Sequence, residues 1–262
     1  MSKEKQQEEK VSSPETAKKE DVAEMPELSL PAMLKAGLHF GHKKSYWNPK
    51  MDRYIFTTQN NIHIIDLEQS LKALRKVIEY LRELSAKNGT LLIVGTKNQA
   101  KDLVRKTAEK TGMPYVNNRW LGGTLTNFGI IKKRIKFFVD NKEALEKGKL
   151  ASLTKLERNK LGKRLAKIEE SMGGLVGMNT LPEAILVLDV NKDKDAVKEA
   201  KKMGIKVIGL LDSNSDPDVV DLGIPANDDA VSSLRYILNV VAAALQQEKN
   251  PSGNQDAKNS KK

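Results

Sequence analysis

“TLLIVGT”, residues 90–96, is an apolar run that ends in glycine and threonine. Two runs of the same kind follow it, “AILVLDV” at 184–190 and “KVIGLLD” at 206–212. Strands that are apolar on both faces are typical of a parallel sheet that is covered by helices on both sides. These three runs therefore predict the buried central strands of an α/β domain.

Helices of crossover length follow the first two runs, at 98–111 and 193–203, and each ends at a glycine. Short strands at 115–116 and 222–224 complete the pattern. A strand, a helix and a second parallel strand form the right-handed unit of open α/β sheets. The predicted fold class is thus α/β, a flavodoxin-like or Rossmann-like parallel sheet with helices on both faces.

The segment before these strands, residues 61–89, predicts a short strand that leads into a long helix capped by Asp66. Ordered structure is expected to begin near Ser29, with a short helix that ends at Gly37.

An insertion at 126–172 interrupts the α/β pattern. Apolar residues with heptad spacing form two seams there: Phe128, Ile131, Ile135 and Phe138, and then Leu161, Leu165, Ile168 and Met172. With Gly148 between the seams, the spacing predicts an inserted antiparallel coiled-coil hairpin with arms roughly 30 Å long. Residues 132–170 hold thirteen Lys and Arg against six acids, so most of the excess positive charge lies there. The alternative is a solvated helix face with internal ion pairs.

These patterns divide the chain into five parts. They are a disordered tail at 1–27, the first part of the α/β domain at 28–125, the hairpin at 126–172, the second part of the domain at 173–247 and a disordered tail at 248–262.

Composition narrows the possible partners. The 262 residues include 45 Lys and Arg against 34 Asp and Glu, a net charge of +11, which favours a polyanionic partner such as nucleic acid. The absence of cysteine excludes disulfides, thiolate zinc ligands and a cysteine nucleophile. No apolar run reaches the roughly 18 residues of a membrane span, and the N-terminus is charged from Lys3 onward. We therefore expect a cytoplasmic protein without a signal peptide.

Two loops were considered as phosphate sites. “VGTKNQA” at 94–100 joins a strand to a helix but lacks the frame of a phosphate-binding loop. “RWLGGTLTN” at 119–127 has paired glycines before a helix, and its free N–H groups could hold one phosphate. In the alternative, Gly122 and Gly123 only turn the chain.

Metal and catalytic sites are not predicted. “DSNSDPD” at 212–218 begins like a calcium loop, but Pro217 and Gly223 replace the glycine and glutamate that such a loop needs. His39 and His42 have no third ligand close in the sequence, and no G-x-S-x-G elbow occurs. The expectation is a protein with no catalytic residue, no metal and no cofactor.

The loop at 43–53 mixes cations with aromatic rings, as RNA-contacting loops do. The alternative is that its aromatic side chains pack against the sheet. Together with the 119–127 loop and the hairpin, the predicted RNA or partner contacts are Lys43, Lys44, Tyr46, Trp47, Lys50, Arg53, Arg119, Trp120, Lys132, Lys133, Arg134, Lys136, Lys163 and Arg164.

Six segments form a series over roughly residues 29 to 245: “MLKAGLHFGHKKSYWNPKM”, “IHIIDLEQSL”, “VGTKNQA”, “NNRWLGGTLTNF”, “PEAILVLDV” and “DSNSDPD…IPANDDA”. In order and spacing, this series resembles the family of ribosomal protein two of the small ribosomal subunit, in its bacterial or plastid form. The resemblance implies an α/β sandwich with a protruding hairpin, binding to small-subunit ribosomal RNA, and proximity to neighbouring proteins that include ribosomal protein one. We expect no membrane contact and no homo-oligomer. The alternative function is a small-ligand-binding or enzymatic doubly wound α/β protein, which should place a phosphate loop or a convergent acid–base set at the sheet's crevice.

Overall fold

A computed structural model of the chain describes residues 26–147 and 154–246. The predicted tails, apart from residues 26 and 27, and the predicted hairpin link at Gly148 lie outside the described residues. Within the described ranges, no helix combines the length and the apolar composition needed to cross a bilayer.

The helices and strands of the described chain follow in sequence order. The helices are α1 (Leu30–Ala36), α2 (Leu67–Ala86), α3 (Asn98–Thr111), α4 (Phe128–Glu146), α5 (Lys155–Met172), α6 (Lys194–Lys202) and α7 (Val231–Gln246). The strands are β1 (Phe40–Lys43), β2 (Ile55–Gln59), β3 (Ile62–Ile65), β4 (Leu91–Val94), β5 (Tyr115–Val116), β6 (Ala184–Val187), β7 (Lys206–Leu211) and β8 (Leu222–Pro225).

The central sheet contains five parallel strands in the order β5-β4-β6-β7-β8. Every residue of β4 and β6 is buried, as expected for strands covered on both faces. The strand order reverses between β4 and β6, which is the switch point of a doubly wound sheet. The predicted fold class is therefore confirmed.

Alternate residues of the strands point into two separate cores. Leu91 and Ile93 belong to the first core, which α1, α2, α3 and α7 complete. Leu92 and Val94 belong to the second core, with the buried residues of α6 and of the hairpin base. The two faces are thus covered differently, one by full-length helices and the other by α6, the hairpin base and the loops around them.

A second, antiparallel sheet lies before the central one, in the order β1-β3-β2. The sequence analysis predicted β3 but missed β1 and β2. Asn60 and Asn61 have φ values of 49° and 62°, so they form a two-residue turn in the left-handed region between β2 and β3. Asparagine tolerates that conformation, so the pair Asn-Asn between two extended segments was the signal that could have indicated the hairpin.

The two long helices of the insertion pack on each other along the predicted seams. Ile131, Ile135, Phe138, Leu165 and Met172 are buried. Three of these five, Ile131, Ile135 and Met172, also belong to the second core beneath the sheet, whereas Phe138 and Leu165 do not. The base of the hairpin is therefore part of the domain core, and only the portion beyond it stands apart.

The loop between β5 and α4 is organised by one carboxylate, that of Glu199 on α6. It accepts hydrogen bonds from Trp120 Nε1 at 3.1 Å, from the backbone N–H groups of Gly123 at 2.8 Å, Leu125 at 3.0 Å and Thr126 at 3.1 Å, and from Thr126 Oγ1 at 3.1 Å. The backbone N–H groups that the sequence analysis considered for phosphate binding are thus hydrogen-bonded to the Glu199 side chain. Of the two alternatives for this loop, the structure shows the turn, with Gly123 at a φ of 87°.

Burial raises the pKa of Glu199, but the hydrogen bonds from Thr126, Trp120, Gly123 and Leu125 outweigh it and hold the pKa below its ordinary 4.5. The ionised carboxylate consequently stabilises the folded state above pH 4.5, and this contribution is lost as the pH falls through the lowered folded pKa.

We predict that Glu199→Gln lowers the free energy of unfolding at pH 7 by about 1–3 kcal/mol, because the single amide oxygen cannot accept from all five backbone and side-chain donors at once. Urea unfolding measures the change. The difference from the wild type should shrink as the pH falls through the lowered pKa of the folded carboxylate, where the wild-type side chain itself becomes protonated. Asp195→Asn, an exposed acid on the same helix, is the control and should have little effect. Equal effects of the two substitutions at pH 7 would contradict this role.

The position of the core boundary predicts which part of the hairpin can be removed. Replacing residues 139–164 by a short Gly-Ser bridge should leave a domain that unfolds cooperatively, because Ile131 and Ile135 stay in the second core. Removing 127–171 takes both residues out of that core, at about 2–5 kcal/mol for each large buried side chain. Calorimetry of the two truncated proteins distinguishes them. A shorter excision that abolishes the cooperative transition would show that the outer hairpin also supports the domain.

Candidate nucleic-acid interface

The 43–53 loop contains two short 3-10 turns, Lys44–Tyr46 and Pro49–Tyr54, and the second is capped by Asn48. Backbone hydrogen bonds fix it, from Lys44 N to Asn61 O at 2.9 Å and from Asn48 N to Ser213 O at 2.9 Å. The loop is therefore held between the small sheet and the segment that follows β7.

Close approach of the two segments requires a glycine at one position. A Cβ added to Gly41 would lie 2.9 Å from Ser213 Oγ, closer than side-chain contacts normally are. The same hydroxyl accepts the N–H of His42 at 2.8 Å. The “HFGH” segment thus fits against the end of β7 only with glycine between Phe40 and His42.

The first half of the loop presents cations to solvent. The side chains of Lys43 and Lys44 are exposed, and Tyr46 is 69% exposed. Trp47 is half-buried and its ring centroid lies 5.1 Å from that of His63. The aromatic residues therefore divide between the two predicted roles, Tyr46 facing outward and Trp47 packing partly inward.

The second half of the loop is neutralised by the “DSNSDPD” segment. The ammonium of Lys50 lies 2.9 Å from Asp216 and 2.8 Å from Asp218, and hydrogen bonds to these carboxylates raise the pKa of Lys50. Arg53 lies 4.0 Å from Asp218 and 4.9 Å above the ring of Tyr54. Both cations are exposed, yet their charge is opposed within the molecule, so Lys43 and Lys44 are the stronger candidates for an external anion.

The predicted cations of the hairpin all face solvent: Lys132, Lys133, Arg134, Lys136, Lys163 and Arg164. Lys133, Arg134, Arg164 and Lys167 line a groove of about 530 Å³ whose floor is apolar. The guanidinium of Arg164 lies 4.9 Å above the Phe137 ring in that groove. Cations around flat apolar side chains suit both the phosphates and the bases of a nucleic acid.

The two candidates from the 119–127 loop differ in exposure. Arg119 faces solvent. Trp120 is only 8% exposed and donates its indole N–H to Glu199, so it supports the loop from within. Because its ring has little surface to offer a partner, we leave Trp120 out of the contact surface.

A cluster of charged side chains at the carboxyl edge of the central sheet was missed by the sequence analysis. The ammonium of Lys97, after β4, lies 2.9 Å from Asp189, 2.7 Å from Asp228 and 2.8 Å from Asp229. Asp189 follows β6 and the other two follow β8. Charged residues that follow neighbouring parallel strands meet at one edge, and this was the signal that could have indicated the cluster.

His42 brings the small sheet to the same cluster. Its Nδ1 lies 2.9 Å from Asp212 and its Nε2 lies 3.4 Å from Asp229. Ligand atoms of His42, Asp212 and Asp228 all lie within 4.8 Å of one another, a set that is capable of holding a metal ion. The expectation of no metal rested on the lack of a third ligand for His42, and that premise is wrong. The expectation itself stays a prediction.

Electrostatics in the cluster are shaped by burial. Burial and the negative charges of Asp212 and Asp189 raise the pKa of Asp228 to about 7, although Lys97 opposes the shift. The hydrogen bond to Asp212 raises the pKa of His42. Burial lowers the pKa of Lys97, but the three carboxylates outweigh it, so the ammonium stays charged.

The cluster lies where doubly wound sheets bind ligands. The sequence analysis expected no convergent acid–base set there, and the structure corrects that expectation. Two of its carboxylates, Asp212 and Asp228, are each only 1% exposed, whereas Asp229 is 53% exposed. The two buried carboxylates are paired within the protein, Asp228 with Lys97 and Asp212 with His42.

Comparison with known proteins gives a consistent result. The profile of the family described as “Ribosomal protein S2” matches residues 33–248. A relative from Aliarcobacter butzleri (strain RM4018), described as “Small ribosomal subunit protein uS2”, is 47% identical over 217 residues, which cover 83% of this chain and 82% of the relative. The family match includes the small sheet, both parts of the α/β domain and the hairpin. The chain therefore belongs to the ribosomal protein S2 family.

Proposed function

We propose that this protein is a non-catalytic structural constituent of the small ribosomal subunit that binds ribosomal RNA through its hairpin and its 43–53 loop. Family membership supports a structural role in the ribosome. The observation that carries the RNA-binding part is the exposed cationic surface of the hairpin, with its apolar groove of about 530 Å³. An unbalanced cationic surface on a projecting element is suited to a phosphate backbone.

The division of charge in the structure supports this assignment. In the α/β domain, Lys97 and Lys50 are paired with carboxylates. On the described part of the hairpin, Lys142 pairs with Glu169, while the six candidate cations have no carboxylate partner. The excess charge of the chain is thus available where the hairpin projects from the domain.

Protein neighbours are proposed for a different surface. An apolar groove of about 600 Å³ lies between α1 and the small sheet, with Leu34 56% exposed and Phe56 76% exposed beside it. Exposed apolar surface of this kind is typical of protein interfaces. We assign it to a neighbouring small-subunit protein, for which ribosomal protein one is the candidate, and place the chain in cytoplasmic ribosomes, without membrane contact and without homo-oligomerisation.

A small-ligand-binding or enzymatic function is the second candidate, because titratable groups converge at the switch point of the sheet. The burial of Asp212 and Asp228 opposes it. A catalytic acid or base must reach its substrate to within hydrogen-bond distance, and these two carboxylates are covered.

We predict that the purified protein binds small-subunit ribosomal RNA with a steep dependence on salt. Several phosphate contacts should give a log–log slope of affinity against salt on the order of −3 to −6, since each contact contributes about −0.7 to −0.9. Fluorescence anisotropy at several salt concentrations measures the slope. A slope near zero would contradict electrostatic binding to RNA.

The exposed pair Lys43 and Lys44 predicts a loop-specific effect. Reversing both to Glu should weaken incorporation into small subunits on the order of tenfold, because two attractions are replaced by two repulsions in a well-solvated setting. The melting temperature should hardly change, since both side chains are exposed.

Sedimentation of reconstituted subunits measures this incorporation. The matched control is the reversal of Lys72 and Lys76, two exposed lysines on α2. Normal incorporation of the Lys43 and Lys44 variant, or an equal loss in the control, would show that the 43–53 loop makes no specific contact.

A further inference from the structure

Helix α6 carries a stripe of three lysines, Lys194, Lys198 and Lys202, at intervals of four residues. Residues four apart lie on the same face of a helix, about 6 Å apart along its axis. All three side chains are exposed. The stripe therefore forms a nearly straight row of positive charge along the whole nine-residue helix.

The opposite face of α6 fixes the direction in which the stripe points. Ala196, Val197 and Ala200 are buried in the second core, at 0%, 3% and 0% exposure. Rotation of the helix about its axis would expose these residues, so the lysines are held outward. An oriented row of cations on a packed helix is pre-organised for a partner, which lowers the entropy lost on binding.

No carboxylate in the described part of the chain neutralises the stripe. Among the residues that the structure describes, none of the three ammonium groups has an ion pair or a hydrogen bond. Glu199 lies between the second and third lysine, but its carboxylate is directed to the 119–127 loop. Like charges at four-residue spacing disfavour a helix, so the stripe costs stability unless a polyanion is present.

The helix that carries the stripe is joined to the base of the hairpin. Glu199 binds Thr126, which lies two residues before the start of α4, so α6 and the hairpin base are in direct contact. Resting on the proposed function, we propose that the lysine stripe of α6 is a second contact line for the ribosomal RNA backbone, continuous with the hairpin.

The composition of the stripe favours RNA over an acidic protein. Between its lysines the exposed positions of α6 are polar, Asp195 and Lys201. Protein interfaces need an apolar or aromatic centre, and the exposed face of this helix has none. A phosphate backbone needs only spaced cations.

The test uses the full chain with Lys194, Lys198 and Lys202 all changed to Gln. Its control changes Lys72, Lys76 and Lys87 to Gln, which removes the same charge from exposed positions on α2 and at its C-cap, on the opposite face of the sheet. The probe is transcribed small-subunit ribosomal RNA. The stripe variant should reduce the magnitude of the salt slope by roughly 2 to 3, one contact per lysine, and the control by less than one. The control should keep the wild-type melting temperature, and the stripe variant should keep or slightly raise it.

Each of the other outcomes contradicts the proposal that the lysine stripe contacts RNA. Equal losses in both variants would mean that only net charge matters, and no loss in the stripe variant would remove α6 from the interface. An unchanged RNA slope with defective incorporation into subunits would assign the stripe to a protein neighbour. The salt slope of the wild-type protein distinguishes failure of this inference from failure of the proposed function. If only the stripe is wrong, the wild-type protein still binds RNA with a steep salt slope. If the wild-type protein shows no salt-dependent binding, the proposed RNA-binding function itself is contradicted.

Discussion

The structure depends on one constraint, that a parallel sheet of apolar strands must be covered on both faces. Residues of β4 and β6 alternate between two cores, so neither face can meet water without exposing large aliphatic side chains. Four helices cover the first face. The second is covered by α6, the 119–127 loop and the inner end of the hairpin. The base of the hairpin is therefore part of the hydrophobic core, and this packing holds the cationic hairpin in a fixed orientation.

Electrostatic balance follows from the same arrangement. Where the chain is packed, charges are satisfied internally: Glu199 accepts from the loop that it holds, and Lys97 binds three carboxylates. On solvent-exposed faces, the six candidate cations of the described hairpin and the three lysines of the α6 stripe have no carboxylate partner. Burial forces pairing and exposure does not, because an unpaired ion inside a protein is costly while one in water is not. The unpaired positive charge is consequently displayed on exposed faces, among them those of the hairpin and of α6.

Much of this arrangement could be predicted from the sequence, and the failures have physical causes. The strands β4, β6 and β7 were predictable because burial on both faces leaves continuous apolar runs. The hairpin seams were predictable from heptad spacing, but spacing cannot show that Ile131 and Ile135 also face the sheet. The short strands β1 and β2 were missed because their exposed residues leave no periodic pattern. The cluster around His42 and Lys97 was missed because its members come from distant segments, and the interior position of Trp120 because its partner Glu199 is equally distant.

The anchoring of residues 40–48, called here the amino-terminal arm, on Ser213 also has a consequence for the newly made chain. The N–H groups of His42 and Asn48 bind Ser213, and His42 further contacts Asp212. The arm leaves the translating ribosome early, yet its docking surface is synthesised about 170 residues later, which at about 5–20 residues per second takes on the order of ten seconds or more. The amino-terminal arm thus reaches its place only near the end of synthesis, after its docking surface has been made.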